Sequence, residues 1–142
     1  MFFGEYNHKI DAKGRVIIPN EFREELTDSC VISKGLDGCL YIYPNTEWES
    51  FLEKLSDLPS NGKTRTFVRF FTAGAYRVET DAQGRILIKN ELREHAGLMK
   101  DVVFAGMKNR IEVWDRARYE KAIDVDNIES IAEEMAELGL SI

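Results

Sequence analysis

The sequence predicts an α+β fold built from two copies of one small β-rich unit. Three observations carry this reading. A 19-residue segment recurs 70 residues downstream. Short β-branched and aromatic runs alternate with turn residues around each copy. Apolar residues at helical spacing then follow each copy.

Residues 6 to 24 read YNHKIDAKGRVIIPNEFRE, and residues 76 to 94 read YRVETDAQGRILIKNELRE. Tyr6, Asp11, Ala12, Gly14, Arg15, Ile18, Asn20, Glu21, Arg23 and Glu24 meet identical residues without a gap. Val16, Ile17 and Phe22 change only to Ile86, Leu87 and Leu92. After a one-residue slip, Gly35, Leu40, Ile42 and Trp48 face Gly106, Ile111, Val113 and Tyr119. A unit of about 50 residues is marginal alone, because so small a domain buries too little surface. Two units sharing one core about a pseudo-twofold axis remove that difficulty. The expected organisation is a first unit over 1–60, a second over 61–123 and an acidic segment over 124–142.

Strands are expected at 5–10 and 15–18. Asp11-Ala12-Lys13-Gly14 lies between them as a turn, since Gly14 tolerates positive φ and Asp11 can bond backbone two residues on. A short helix follows at 20–26, with Asn20 as its expected N-cap. The next strands are placed at 30–34 and 39–43. Thr46-Glu47-Trp48-Glu49 reads as a capping box. Trp48, Phe51, Leu52, Leu55 and Leu58 then recur at helical spacing until Pro59. Ser60-Asn61-Gly62 is the expected linker, and 64–72, holding Phe67, Phe70 and Phe71, a further helix. In the second unit Asn90 caps, Gly97 stops the helix, and strands fall near 102–105 and 110–114. Residues 127–138 form an acidic helix with Ile128, Ile131, Met135 and Leu138 on one face, suited to a neighbouring subunit.

Composition narrows the function classes. The net charge is −6, but six acids and no Lys or Arg lie from Asp124 onward. The 25 acids less these six leave 19, against 19 Lys and Arg. A neutral body can carry the local basic patch that phosphate contact needs. Eight residues separate Cys30 from Cys39 and no histidine lies near, so buried thiols are expected rather than a metal or redox motif. No metal, cofactor or small-molecule substrate is implied. No apolar run approaches membrane-spanning length and the start lacks a secretory pattern, so a cytoplasmic location is expected.

The chemistry-bearing element is Asp-Ala-x-Gly-Arg, at 11–15 and 81–85. Taken singly it is a hairpin turn with an Asp–Arg pair kept for the fold. Around the first copy, however, His8, Lys9, Lys13 and Arg15 cluster with Asp11 the only acid between them. Arg offers a planar fork for guanine edges and phosphates, and Lys a point charge. A two-stranded ribbon with its loop fits the major groove. The second copy keeps Asp81, Gly84 and Arg85 but has Gln83 for Lys13, and Val78 and Glu79 for His8 and Lys9. The first unit is therefore expected to lead nucleic-acid contact.

These residues carry a family resemblance. The opening Met-Phe-x-Gly-x-Tyr-x-His-x-x-Asp-x-Lys-Gly-Arg resembles the MraZ family. So do the repeated Asp-x-x-x-Arg, Asp-Gly-Cys-Leu-x-x-Tyr-Pro with Trp48, and Ile-Glu-Val-Trp at 111–114. MraZ proteins are bacterial transcriptional regulators with two AbrB-like (SpoVT-AbrB) units. The resemblance spans nearly the whole chain and is weakest beyond residue 123. It implies a double-split β-barrel of two swapped-hairpin repeats with peripheral helices. It also implies ring-like homo-oligomers, and repression through short direct repeats in the promoter of the division and cell-wall cluster. A nucleoid-associated location would follow. Arg15 and Arg85 match the family's motif arginines, and Asp11 and Asp81 its acids. Gln83 departs from Lys13 of the first copy, so the two loops are expected to contribute unequally. Two other readings compete: an antitoxin-like module, invited by the acidic end, and a protein-binding oligomer without nucleic acid. An enzyme has the least support, because no nucleophile–base pair, metal cluster or phosphate-cradling loop is present.

Overall fold

A computed structural model describes residues 1–142. The first repeat contains β1 (Glu5–Lys9), β2 (Arg15–Ile17), α1 (Asn20–Leu26), β3 (Ser29–Lys34) and β4 (Leu40–Tyr43). Helices α2 (Asn45–Ser56) and α3 (Gly62–Thr72) follow. The second repeat contains β5 (Tyr76–Glu79), β6 (Arg85–Leu87), α4 (Asn90–Ala96), β7 (Asp101–Met107) and β8 (Arg110–Asp115). It ends in α5 (Arg116–Ala122) and α6 (Ile128–Glu137).

All strand pairs are antiparallel. Six strands form one sheet in the order β1-β7-β8-β4-β3-β5, and β2 pairs with β6 in a separate ribbon. The sheet is open, with β1 and β5 at its edges. Each repeat therefore lays its first strand on the other repeat: β1 on β7, and β5 on β3. This exchange gives neither unit a complete sheet of its own.

The registers locate the pseudo-twofold axis. Val16 pairs with Ile86, its own counterpart at an offset of 70, while Arg15 faces Leu87 and Ile17 faces Arg85. Tyr41 pairs with Glu112, its counterpart at an offset of 71. The axis thus passes through the ribbon and through the β4–β8 pair. Backbone bonds obey the same symmetry: Ile18 N–H donates to the Gly84 carbonyl and Ile88 N–H to that of Gly14. The β3–β7 correspondence differs from the one-residue slip read in the sequence. Lys9 faces Asp101 and its counterpart Glu79 faces Ser29, so Ser29 and Asp101 are equivalent, at an offset of 72. Gly35 and Gly106 are consequently not counterparts. A Cβ on Gly35 would meet the Tyr41 ring, whereas one on Gly106 would meet the backbone of Phe2 and Phe3.

Alternation along the strands splits the core in two. On one face Ile32, Leu40, Ile42, Val102, Phe104, Ile111 and Val113 pack against the ribbon's Val16 and Ile86. Phe22 of α1 and Leu92 of α4 complete this core. On the other, Val31, Tyr41, Tyr43, Val103 and Trp114 pack with Trp48 of α2 and Phe71 of α3. Cys30 and Cys39 are buried, as expected; desolvation holds the Cys30 thiol up at about 12.

Helix starts differ from the sequence reading. Pro19, Pro44 and Lys89 occupy the N-cap positions of α1, α2 and α4, without side-chain caps. Asn20 and Asn90 are first helical residues, not caps, and the Thr46 capping box does not form. Proline supplies the reason at α1 and α2: its fixed φ sets the chain for helix entry, and its carbonyl accepts the first turn's N–H. Asn45 instead bonds Ser29 on β3. Gly62 lies inside α3, capped by Asn61 through Thr64 N–H at 2.9 Å, rather than in a linker. Gly97 ends α4 in the left-handed conformation (φ 59°), as expected. Helix α2 stops at Ser56, before Leu58 and Pro59.

Candidate nucleic-acid interface

The site begins with the two Asp-Ala-x-Gly-Arg loops. Asp11 Oδ1 accepts from the N–H of Lys13 and of Arg15, each at 2.9 Å. Arg15 Nε donates to Asp11 Oδ2 at 2.8 Å. The second loop repeats this: Asp81 Oδ1 accepts from Gln83 and Arg85, and Arg85 Nε donates to Oδ2 at 2.8 Å. These N–H donors stabilise the ionised carboxylates, so both acids titrate below the ordinary value. The first cause is the Arg backbone bond in each case, with partial desolvation opposing it. Each aspartate therefore fixes both its turn and one side of its arginine. The guanidinium is spent only at Nε; its two Nη groups make no hydrogen bond within the chain.

The ribbon brings the two loops together. Val16 and Ile86 point into the core, so Arg15, Ile17, Arg85 and Leu87 share the outer face. Arg15 and Arg85 are diagonal neighbours in this register, a relation that places side chains roughly 7–8 Å apart. Ile17 and Leu87 stay exposed between them.

Two further arginines lock the loops. Arg23 of α1 donates from Nε to the Ile18 carbonyl at 2.9 Å, and Arg93 of α4 to that of Ile88 at 3.0 Å. Each guanidinium lies on the glycine of the other repeat's loop. A Cβ on Gly84 would sit 2.5 Å from Arg23 Cζ, and one on Gly14 would sit 3.0 Å from Arg93 Cζ. Both glycines also need positive φ, 87° at Gly14 and 78° at Gly84.

The remaining candidates divide. Lys13 is exposed at the tip of the first loop. Lys9 is exposed on β1, and His8 points to the opposite side, with its ring edge-on to Phe104 at 5.8 Å. Burial lowers the His8 pKa below 6.5, with Arg23 acting in the same direction and Glu21 against it. Successive strand residues face opposite ways, so the structure does not bring His8 and Lys9 onto one surface. Ile17, Leu87, Arg23 and Arg93 surround the two loops, although the sequence does not single them out. The signal available for them was their place in the 70-residue repeat.

The repeat also matches a known family. Its profile, described as "MraZ protein, putative antitoxin-like", matches residues 1–70 and again 71–140. The chain belongs to the MraZ family. A relative named transcriptional regulator MraZ from Lachnoclostridium phytofermentans is 53% identical over 141 residues, covering 99% of each chain. The MraZ regulator of Acetivibrio thermocellus is 54% identical over 143 residues, covering 99% of this chain and 100% of its own. That of Pediococcus pentosaceus is 49% identical over the same length. The MraZ profile begins its second match at residue 71, just before β5, so the two matches divide the chain between its pseudo-symmetric halves. No helix of the chain is long and apolar enough to cross a membrane.

Proposed function

We propose that this MraZ protein is a sequence-specific DNA-binding regulator of transcription. In this reading it represses by occupying short direct repeats in the promoter of the division and cell-wall genes. The observation that carries the reading is the convergence of Arg15 and Arg85, with free Nη groups, on one exposed face. A two-stranded ribbon fits the major groove, and an Arg fork contacting guanine gives about 1–3 kcal/mol of discrimination. Lys13 and Lys9 add phosphate contacts, and His8 supports the strand from inside. Asp11, Gly14, Asp81 and Gly84 hold the two loops in shape. The more basic first loop leads.

One subunit grips DNA weakly. Subunits in a homo-oligomeric ring present the same face at regular spacing, and linked sites gain roughly 10²–10⁴ in affinity. The units 1–60 and 61–123 form the reading head, and 124–142 serves assembly. The open sheet capped by its ribbon is the split-barrel arrangement in this reading, and promoter occupancy makes the protein nucleoid-associated.

A mobility-shift titration on the chain's own upstream DNA, at two salt concentrations, tests this. Arg15→Ala should weaken binding more than Arg85→Ala, with the mass by light scattering unchanged. Each lost phosphate contact should lower the log–log salt slope by about 0.9. Salt-independent association, or a larger loss at Arg85, would overturn the corresponding part of the reading.

A further inference from the structure

Two helical surfaces remain without partners. The first is α6. None of its residues is buried. Ile128, Ile131, Ala132 and Met135 fall on one face at i, i+3, i+4 and i+7, the spacing of an apolar stripe, and Leu138, just past the helix end, extends it. Ile128 and Leu138 are 56% and 80% exposed and Met135 is exposed as well, while Ile131 and Ala132 between them are half-buried, so most of the stripe lies open to solvent in the single chain. Glu129, Glu133, Glu134 and Glu137 cover the rest of the helix, which has no Lys or Arg.

The second surface lies on α3. Phe67 and Phe70, both edge-on to the buried Phe71, line a groove with Lys63, Thr66 and Leu36. Phe67 is 41% and Leu36 48% exposed. The helix carries Lys63, Arg65 and Arg69 and no acid.

We infer that α6 of one subunit docks in the α3 groove of a second copy of this chain. The inference rests on the proposed homo-oligomer and assigns the surface that builds it. Charge decides the occupant. Two α6 helices packed on each other would oppose four glutamates to four, and two α3 helices would oppose cations. An α6 laid against α3 matches apolar stripe to apolar groove and acid to base. Glu129 and Glu134 border the stripe on either side, within reach of Lys63 in the groove and Arg69 beside it. Because the two surfaces are different, the contact is heterologous: each subunit gives one helix and offers one groove. Repetition then closes a ring or runs on as a filament.

Mixing of full-length variants tests this. One variant carries the groove substitution Phe67→Glu and the other the arm pair Met135→Glu and Leu138→Glu. Each alone should fall to the mass of one chain by light scattering. An equimolar mixture should form a two-chain species and stop there, since only one intact helix and one intact groove can meet. A charge pair guards against misfolding. Lys63→Glu with Arg69→Glu should lose assembly, and Glu129→Lys with Glu134→Lys in the same chain should restore it. Wild-type mass in either single variant, a mixture that stays at one chain, or no restoration by the charge swap overturns the assignment. Arg15→Ala leaves mass unchanged in every case, so failure of the DNA reading shows in the shift assay and failure of this docking in the mass.

Discussion

Replacing Asp11 by Ala sets two physical effects against each other. Asp11 is an exposed anion beside the proposed DNA contact. If bulk charge governed binding, its removal would help. At contact distance in a water-like dielectric the relieved repulsion is worth at most about a fivefold gain, and less beyond the roughly 8 Å screening length. Asp11 also holds the N–H groups of Lys13 and Arg15 and the Arg15 Nε. Without it the turn relaxes and the Arg15 fork loses its aim, forfeiting up to the about 5–150-fold that a bidentate base contact supplies. The expected result is binding about tenfold weaker despite the lost negative charge. Asp81→Ala should do less, because Gln83 makes its loop less basic. Fluorescence anisotropy on the upstream DNA reads both, with light scattering to confirm unchanged mass. Binding by Asp11→Ala that equals or exceeds wild type would refute the positioning argument.

Three other outcomes follow from the geometry. Gly84→Ala should cost about 2–4 kcal/mol, combining a strained positive φ with displacement of Arg23 from its bond to Ile18. At roughly 2–4 °C per kcal/mol for a chain near this size, calorimetry should show a fall on the order of 10 °C; no change would remove the clamp from the account. Tyr76 donates to the Leu87 carbonyl and accepts from Lys89 N–H, both at 2.8 Å, so Tyr76→Phe should cost about 1–2 kcal/mol. Tyr6→Phe should cost less, because Pro19 stands where Lys89 does and has no N–H to leave unmet; equal losses would contradict this. His8 titrates lower folded than unfolded, so the unfolded chain binds more protons between the two values and stability rises with pH there. Its contribution is complete above about 6.5 and is lost as pH falls through the depressed value. Thermal melts from about pH 7.5 to 5.5 should show the loss, and His8→Gln should flatten it; an unchanged slope would contradict the assignment.

The sequence made the repeat, the loops and most element positions legible, because turn chemistry and alternation are local. It could not show which strands pair. Nothing in the spacing of Arg15 and Arg85 says that β2 lies on β6; that follows only when both repeats share one core. The exchange of β1 and β5 is hidden for the same reason. His8 looked like part of a basic cluster because neighbours in a list are not neighbours on a strand, where Lys9 turns outward and His8 inward. Asn20, Thr46 and Asn90 were good caps by residue type, but the helices begin one residue later than Pro19, Pro44 and Lys89, and the caps lose their place. The β3–β7 offset of 72 is hidden in the sequence because Gly35 and Gly106 look alike and serve different contacts.

The axis through Val16 and Ile86 relates two halves that are joined in one chain rather than contributed by two identical ones. A symmetric pair of separate chains is bound to look the same after half a turn, and suits an inverted, palindromic target. Here a substitution such as Lys13 against Gln83 can accumulate on one side alone. The proposed reading face thereby acquires a front and a back, and a surface with that polarity can sit in the same direction on every copy of a head-to-tail series.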